Sequence, residues 1–140
     1  MRALAAALLF FAGAALAQEV ADAPGARLRV LDKLTGDVQD VTLAAGQSQS
    51  FGRLTVQLDA CRYQPENPTA EAFGLLTIGD AASDAPVFAG WMVASSPGLS
   101  ALDHPRYDVW VLRCDVPDLV LPDVEEAPAE DGAATDDGNG

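Results

Sequence analysis

The chain has 140 residues and a formal net charge of −13, with 8 Lys or Arg against 21 Asp or Glu. Nucleic acid and anionic membrane surfaces are excluded as partners, because affinity for phosphate groups requires clustered Lys and Arg. The charge is concentrated at one end, since residues 115–140 hold nine acids and no base, whereas residues 26–114 hold ten acids and seven bases. The nearly balanced part has a length that suits one domain.

The chain opens with the features of an export signal. Met1-Arg2 is a short positive segment, Ala3 to Leu16 is an almost wholly apolar run, and Ala15-Leu16-Ala17 is a small-x-small cleavage sequence. The apolar run is shorter than the roughly 20 residues of a membrane-spanning helix. We therefore predict a signal peptide over residues 1–17 that is cleaved before Gln18, no membrane anchor, and a periplasmic or secreted mature protein.

The first half of the domain has the pattern of a hairpin followed by a long strand. Residues 18–25 contain few large apolar side chains and end in a Pro-Gly pair, which predicts a flexible lead-in. Apolar residues that begin at Leu28 and again at Val38 flank a turn-rich stretch and predict a β-hairpin. Leu54 to Ala60 alternates apolar and polar residues, which predicts a half-buried strand. Cys61 then needs a bulge or the end of the strand to turn it toward a partner.

The second half contains three further strand patterns. Ala72 to Ile78 is apolar and follows a loop with two prolines. The unbroken apolar run from Val87 to Val93 predicts a strand covered on both faces. Val109 to Cys114 alternates again, and strict alternation places Cys114 on the same face as Trp110, so that Trp110 is expected to pack near the cysteine.

A short helix is predicted between the last two strands. Ser96 is a good N-cap, Pro97 suits the first helical position, and the proline after His104 discourages helix at that histidine. We expect about two turns, with Leu99 and Leu102 on one face of the helix, covering one end of the sheet.

The two cysteines, Cys61 and Cys114, both lie in the nearly balanced part of the chain. An exported protein meets an oxidising compartment, and two cysteines allow one intramolecular pair. We predict a Cys61–Cys114 disulfide, with free buried thiols and intermolecular pairing as the alternatives.

The coarse pattern defines an all-β protein. Residues 26–116 hold six short strand candidates without βαβ order, which predicts a small antiparallel β-sandwich or barrel with one short helix. Residues 117–140 alternate prolines with acids and then lose large apolar side chains, which predicts a disordered acidic C-terminal tail. Such a tail is a solubilising extension or a tether for a basic partner.

The stretch from Val87 to Cys114 resembles a proteobacterial exported family catalogued as domain of unknown function 2155. Supporting matches are Leu31-Asp32-Lys33-Leu34-Thr35-Gly36, Phe51-Gly52 and Ala60-Cys61-Arg62. The resemblance covers roughly residues 27–114 and implies an envelope location in a Gram-negative cell. It carries over no catalytic or ligand residues.

One cluster of residues suggests catalysis. Ser95 or Ser96, His104 and Asp108 could supply a nucleophile, a base and an orienting acid. The sequence around the serines, however, is not the G-x-S-x-G turn that exposes a nucleophile. The structural interpretation is that Ser96 caps a helix, His104 ends it and Asp108 bonds a turn amide or Arg106. We predict no catalytic residues, and the alternative is a small periplasmic hydrolase.

No cofactor or metal is predicted, because His104 is the single histidine, the cysteines lack C-x-x-C spacing, and the glycines form no nucleotide-binding loop. The aromatic residues Trp91, Tyr107 and Trp110 either fill the core or form a platform for a sugar ring or a peptide. Tyr107, beside Arg106, is the better candidate for a surface position.

Long connections between strands often carry function. The predicted interaction surface is therefore the connection before the last strand, made of Ser95, Ser96, His104, Arg106, Tyr107 and Asp108. We predict a monomeric, non-catalytic envelope protein that binds an envelope protein or a cell-wall component.

Overall fold

A computed structural model describes residues 17–117 of the chain. Strands account for most of these residues, and the helical content is a single 3-10 turn. In chain order the elements are β1 Ala21–Ala23, β2 Gly25–Asp32, β3 Val38–Ala44, β4 Ser48–Phe51, β5 Leu54–Tyr63, β6 Ala72–Asp80, β7 Phe88–Val93, the 3-10 turn Pro97–Leu99 and β8 Tyr107–Asp115.

The strands form two antiparallel sheets. The larger has five strands in the order β1-β5-β6-β7, with β4 also paired to β5, and the smaller has three in the order β3-β2-β8. The sheets pack through β6 against β8 and through β2 against β5. The all-β antiparallel prediction is confirmed, and of its two alternatives the described strands form the sandwich. No described helix is long and apolar enough to cross a membrane.

The core lies between the two sheets and follows from period-two alternation. Leu54, Val56 and Leu58 of β5 are fully buried, while the residues between them are exposed, which confirms the predicted half-buried strand. The predicted hairpin is also confirmed, since β2 and β3 pair from Gly25 with Ala44 to Leu31 with Val38. The other fully buried large side chains come from both sheets: Leu28, Leu43, Leu76 and Ile78.

The predicted disulfide is present and joins the two sheets. Cys61 at the end of β5 is bonded to Cys114 at the end of β8, with 5.7 Å between their Cα atoms. Both sulfurs are buried, and no described cysteine is free.

Each cysteine is turned inward by an irregularity in its own strand. In β5 the register with β6 shifts between Leu58 and Ala60, so Asp59 is an extra residue and Cys61 returns to the buried face. In β8 the register with β2 shifts in the same way, and Leu112 is the extra residue. Of the two predicted ways to turn Cys61 toward its partner, a bulge or the end of the strand, the structure shows the bulge.

The shift in β8 also shows that the prediction for Trp110 was wrong. Val109 and Val111 face the core, Trp110 faces outward and is half-buried, and Cys114 returns to the core face only beyond the extra residue. Trp110 and Cys114 therefore lie on opposite faces of β8.

Two further segments differ from the sequence pattern near the start of the domain. The lead-in predicted to be flexible contains β1, whose residues pair with the end of β5 from Ala21 with Tyr63 to Ala23 with Cys61. Ser48–Phe51, which has no predicted strand pattern, forms β4 and folds back on β5 through a turn at Gly52 with φ of +59°. Both are short strands that pair with β5, and local composition does not reveal such pairing.

The predicted two-turn helix was wrong, because only Pro97–Leu99 forms a 3-10 turn and Ser96 makes no side-chain capping bond. Leu99 is 78% exposed, whereas Leu102 is buried in the core, so the two leucines do not share a face. The prediction that β7 is covered on both faces was also wrong. Met92 is buried and Phe88 and Gly90 are partly buried, whereas Ala89 and Trp91 are exposed, because the smaller sheet covers only one face of the larger sheet.

Candidate functional site

The connection predicted to be an interaction surface is anchored by a buried histidine. His104 Nε2 lies 2.7 Å from Asp80 Oδ2, and its Nδ1 accepts hydrogen bonds from the amides of Arg106 and Tyr107 at 3.0 and 3.1 Å. Since Nδ1 accepts, the ring proton resides on Nε2 and is donated to Asp80. Both ring nitrogens are thus occupied, and His104 is only 5% exposed.

Asp80 is the second member of this cluster. It accepts from the amide of Ala82 at 2.9 Å and lies 3.3 Å from the guanidinium of Arg53. The amide of Ala82 first, and then the His104 side chain, lower the pKa of Asp80 against the opposing effect of burial. Asp80 therefore stays ionised and holds the histidine in one orientation.

The residues after His104 are tied to the turn of the β2–β3 hairpin. Arg106 donates to both carboxylate oxygens of Asp32, with a shortest distance of 2.7 Å, and its carbonyl accepts from the Lys33 amide. Hydrogen bonding by Arg106 lowers the pKa of Asp32 to about 2. Lys33 Nζ donates to the His104 carbonyl at 2.7 Å and lies 3.5 Å from Asp108. These contacts brace the connection against the smaller sheet.

The predicted surface is therefore mostly an internal brace. Tyr107, expected at the surface, is only 3% exposed, and its ring lies against His104 and under the guanidinium of Arg106. Ser95 and Ser96 remain accessible or partly accessible, and Arg106 and Asp108 are half-buried in ion pairs.

Ser95 belongs to a different cluster, at the end of β7. Its amide and hydroxyl both donate to Glu71, which also accepts from the Ala72 amide. Burial acts to raise the pKa of Glu71, but the bonds from Ser95 and Ala72 outweigh it and leave the pKa below its ordinary value. This pair lines a cleft of about 410 Å³ whose other wall includes Leu112 and Arg113 of β8.

These contacts do not assemble the hydrolase alternative. Ser95 bonds Glu71, His104 bonds Asp80, and Asp108 pairs with Lys33. Within residues 17–117, no hydrogen bond or ion pair joins the His104 ring to Ser95, Ser96 or Asp108. His104 also has no free nitrogen to accept a proton from a serine. Among residues 17–117, no group of three or more His, Cys, Asp or Glu side chains is arranged to hold a metal ion.

An exposed aromatic surface lies on the outer face of the larger sheet. Trp91 is 36% exposed on β7, and the guanidinium of Arg62 on β5 stacks 5.0 Å from the centre of its ring. Phe73 on β6 and Val20, which is 53% exposed, complete a shallow depression of about 250 Å³. We call Val20, Arg62, Phe73 and Trp91 the Trp91 face.

Sequence reasoning considered Trp91 as part of an aromatic platform with Tyr107 and Trp110, but the structure does not bring these three together. Trp91 faces outward from the larger sheet, Trp110 faces outward from the smaller sheet, and Tyr107 points into the core. The unbroken apolar run around Trp91 indicated burial on both faces. Only the packing of the two sheets, which depends on the whole topology, shows that the outer face of β7 is open.

The fold and these surfaces define a small, disulfide-closed antiparallel β-sandwich with an aromatic outer face. Residues 26–114 match the bacterial family described as "uncharacterized protein conserved in bacteria (DUF2155)", and the chain belongs to this family. The resemblance noted from the sequence is confirmed.

One relative is an uncharacterized protein of Rickettsia prowazekii (strain Madrid E), which is 30% identical over 91 residues. The aligned region covers 63% of this chain and 59% of the relative, so the chain spans about three fifths of that protein's length. No solved structure matches the chain.

Proposed function

We propose that this protein is a non-catalytic, exported interaction module of the bacterial envelope, which binds another envelope component through the Trp91 face. The observation that carries the proposal is the exposure of Trp91 beneath a stacked Arg62 guanidinium, next to the apolar side chains of Phe73 and Val20. Trp and Arg are the side chains most enriched where binding energy concentrates.

Two further features support the extracytoplasmic part of the proposal. The first seventeen residues have the pattern of a cleavable export signal. The Cys61–Cys114 disulfide is typical of proteins that mature in an oxidising compartment.

A monomer suits the high net negative charge, because copies of such a chain repel one another.

Location is tested by mass spectrometry of the native protein released from cells by osmotic shock. We expect a mature N-terminus at Gln18 and a disulfide that resists alkylation until a reductant is added. Recovery from the cytosol with Met1 in place, and with Cys61 and Cys114 both alkylated without reductant, would overturn the extracytoplasmic assignment.

Binding is tested by in-cell photo-crosslinking. A benzoylphenylalanine at Val20 lies on the Trp91 face and leaves Trp91 intact, while the same probe at Gln39, exposed on β3 of the smaller sheet, is the control. We expect a defined adduct from position 20, none from position 39, and loss of the adduct in Trp91→Ala. Leu99→Ala, which truncates an exposed leucine outside this face, should keep it.

The same experiment contradicts the proposal if position 20 yields no adduct, if both positions yield the same adduct, or if Trp91→Ala leaves the adduct unchanged. Each of these results would remove the Trp91 face as the binding surface.

A further inference from the structure

We propose that the bound component is an extended polypeptide segment, which adds to the free edge of β7 as another antiparallel strand. This inference rests on the proposed function and narrows the partner to a protein with a strand-like segment available for pairing. The argument starts from the direction of the backbone groups in Phe88–Val93.

Alternate residues of β7 face opposite edges. The Ala94 amide donates to the Ala72 carbonyl at 2.9 Å, just beyond the end of the β6–β7 ladder. In an antiparallel pair, the N–H and C=O of one residue point to the same side, and the side changes at every residue. Even-numbered residues of β7 therefore bond to β6, whereas Ala89 and Trp91 direct both backbone groups away from it. The Val93 carbonyl follows the same pattern, because it accepts from the Ser96 amide and not from β6.

Within residues 17–117, the outward edge of β7 has no strand partner, since β7 pairs only with β6. Ala89, at the centre of this edge, is exposed. A row of donors and acceptors with the repeat of a β-strand is matched by another polypeptide backbone, which is the basis of binding by strand addition. A sugar or a lipid headgroup does not offer this repeat. The backbone geometry therefore favours a polypeptide occupant.

The other free edges of the sandwich carry features that discourage pairing, and β7 does not. β1 and β4 have only three and four residues, while β3 carries Asp40 in an ion pair with Arg29 and β8 carries Asp108 and Arg113. Short length and charged side chains are the usual protection of an edge strand. All six residues of β7 are uncharged, and none is proline.

The Trp91 face adds side-chain recognition to this backbone edge. Trp91 lies on the exposed face of β7, two residues from the small side chain of Ala89. Side chains of an added strand would lie directly beside these two residues and extend the Trp91 face. We therefore expect a segment with apolar residues at alternate positions, with a large side chain beside Ala89. A second copy of this chain is disfavoured by electrostatic repulsion, because residues 18–140 hold 21 Asp or Glu against seven Lys or Arg.

The test uses the full mature, oxidised protein and a phage-displayed library of random twelve-residue peptides as the probe. Peptides selected on the wild-type protein are synthesised, and their affinities are compared for Ala89→Pro and Ala89→Thr. Proline removes the outward N–H of residue 89 without removing a bond to β6, and threonine keeps that N–H with a side chain suited to strands. Circular dichroism and thermal unfolding check that both variants keep the fold.

We expect apolar alternation in the selected peptides, binding to Ala89→Pro at least about tenfold weaker than to wild type, and binding to Ala89→Thr within about twofold. A second test leaves the protein unchanged and N-methylates the peptide at one residue at a time. Methylation should abolish binding at alternate residues, because only every second peptide N–H points to β7.

This inference would be overturned if no peptide is selected, if the peptides bind Ala89→Pro as well as wild type, or if the methyl-scan losses lack a period of two. A wild-type dimer in sedimentation that is lost in Ala89→Pro would assign the edge to a second copy and also overturn it. The proposed function has its own readout. A Trp91-dependent adduct at position 20 that survives Ala89→Pro would keep the Trp91 face and remove strand addition.

Discussion

Removal of the disulfide gives the sharpest test of how this sandwich is stabilised. The double variant Cys61→Ala/Cys114→Ala eliminates a cross-link between residues 53 positions apart. In the chain-entropy model, a cross-link that closes a loop of that length lowers the conformational entropy of the denatured state by an amount worth about 4 kcal/mol. Without the cross-link, the free energy of unfolding should fall by that amount. Small domains have a stability of about 5–15 kcal/mol, so this loss is a large fraction of the total.

Urea denaturation followed by tryptophan fluorescence measures the effect. With a slope of about 1.5 kcal/mol per molar urea, which is within the usual range for a small domain, the transition midpoint should fall by about 2.7 M. Alanine also removes two buried sulfur atoms from the core, so reduced wild-type protein is the matched control. It loses the cross-link and keeps the sulfur atoms.

The reasoning predicts that reduced wild-type protein accounts for most of the shift, and that the double variant is slightly less stable again. A midpoint shift below about 0.7 M for the reduced protein, equivalent to about 1 kcal/mol, would refute it. That result would mean that the loop between the cysteines is already restricted in the denatured chain, or that the bond strains the folded one.

Two further predictions concern packing and charge. Gly74→Ala should destabilise the fold by about 1–3 kcal/mol, because the added Cβ would lie 2.6 Å from a methyl group of Val111, whereas Gly79→Ala, which meets open space, should be close to neutral. Equal urea midpoints for the two variants would contradict this packing. Arg106→Met should remove the cause that holds the pKa of Asp32 at about 2 instead of 3.8. A lowered carboxyl pKa stabilises the fold at pH values above the ordinary pKa, and this stabilisation is lost as the pH falls through 4 toward 2. The variant should therefore be less stable at neutral pH, and its stability should change less between pH 4 and 2. Acid-unfolding curves of wild type and Arg106→Met that run parallel would contradict this explanation.

The parts of the fold that were predictable from the sequence depend on local alternation. The hairpin and the half-buried face of β5 follow from period-two patterns, which reflect burial on one side of a strand. A bulge before Cys61, or the end of the strand there, was also predictable, because strict alternation pointed the cysteine away from the core while the disulfide required it inside. In β8, strict alternation placed Cys114 on the face of Trp110, an aromatic residue that suits a core, so the pattern gave no sign of the irregularity at Leu112.

The parts that could not be predicted depend on contacts between distant segments. Capping and proline signals favoured a helix after Ser96, but Leu102 packs into the core and His104 bonds Asp80, which lies 24 positions earlier. These contacts draw the segment into an extended path that helix propensity does not anticipate. For the candidate site, the apolar run around Trp91 indicated a core strand. The exposure of its outer face follows from the way the two sheets pack, which no local pattern reveals.

In β5 and β8, formation of the disulfide depends on the exact number of residues in each strand as well as on the two cysteines. Asp59 and Leu112 are each the extra residue of a β-bulge. Each bulge makes the side chains that follow it in the strand point to the opposite face from the one that strict alternation gives. Deleting either residue would keep both thiols in the sequence but direct one of them to solvent. The molecule would then be open to covalent linkage with its neighbours, so deletion of a single residue would replace an internal disulfide with a route to covalent oligomers.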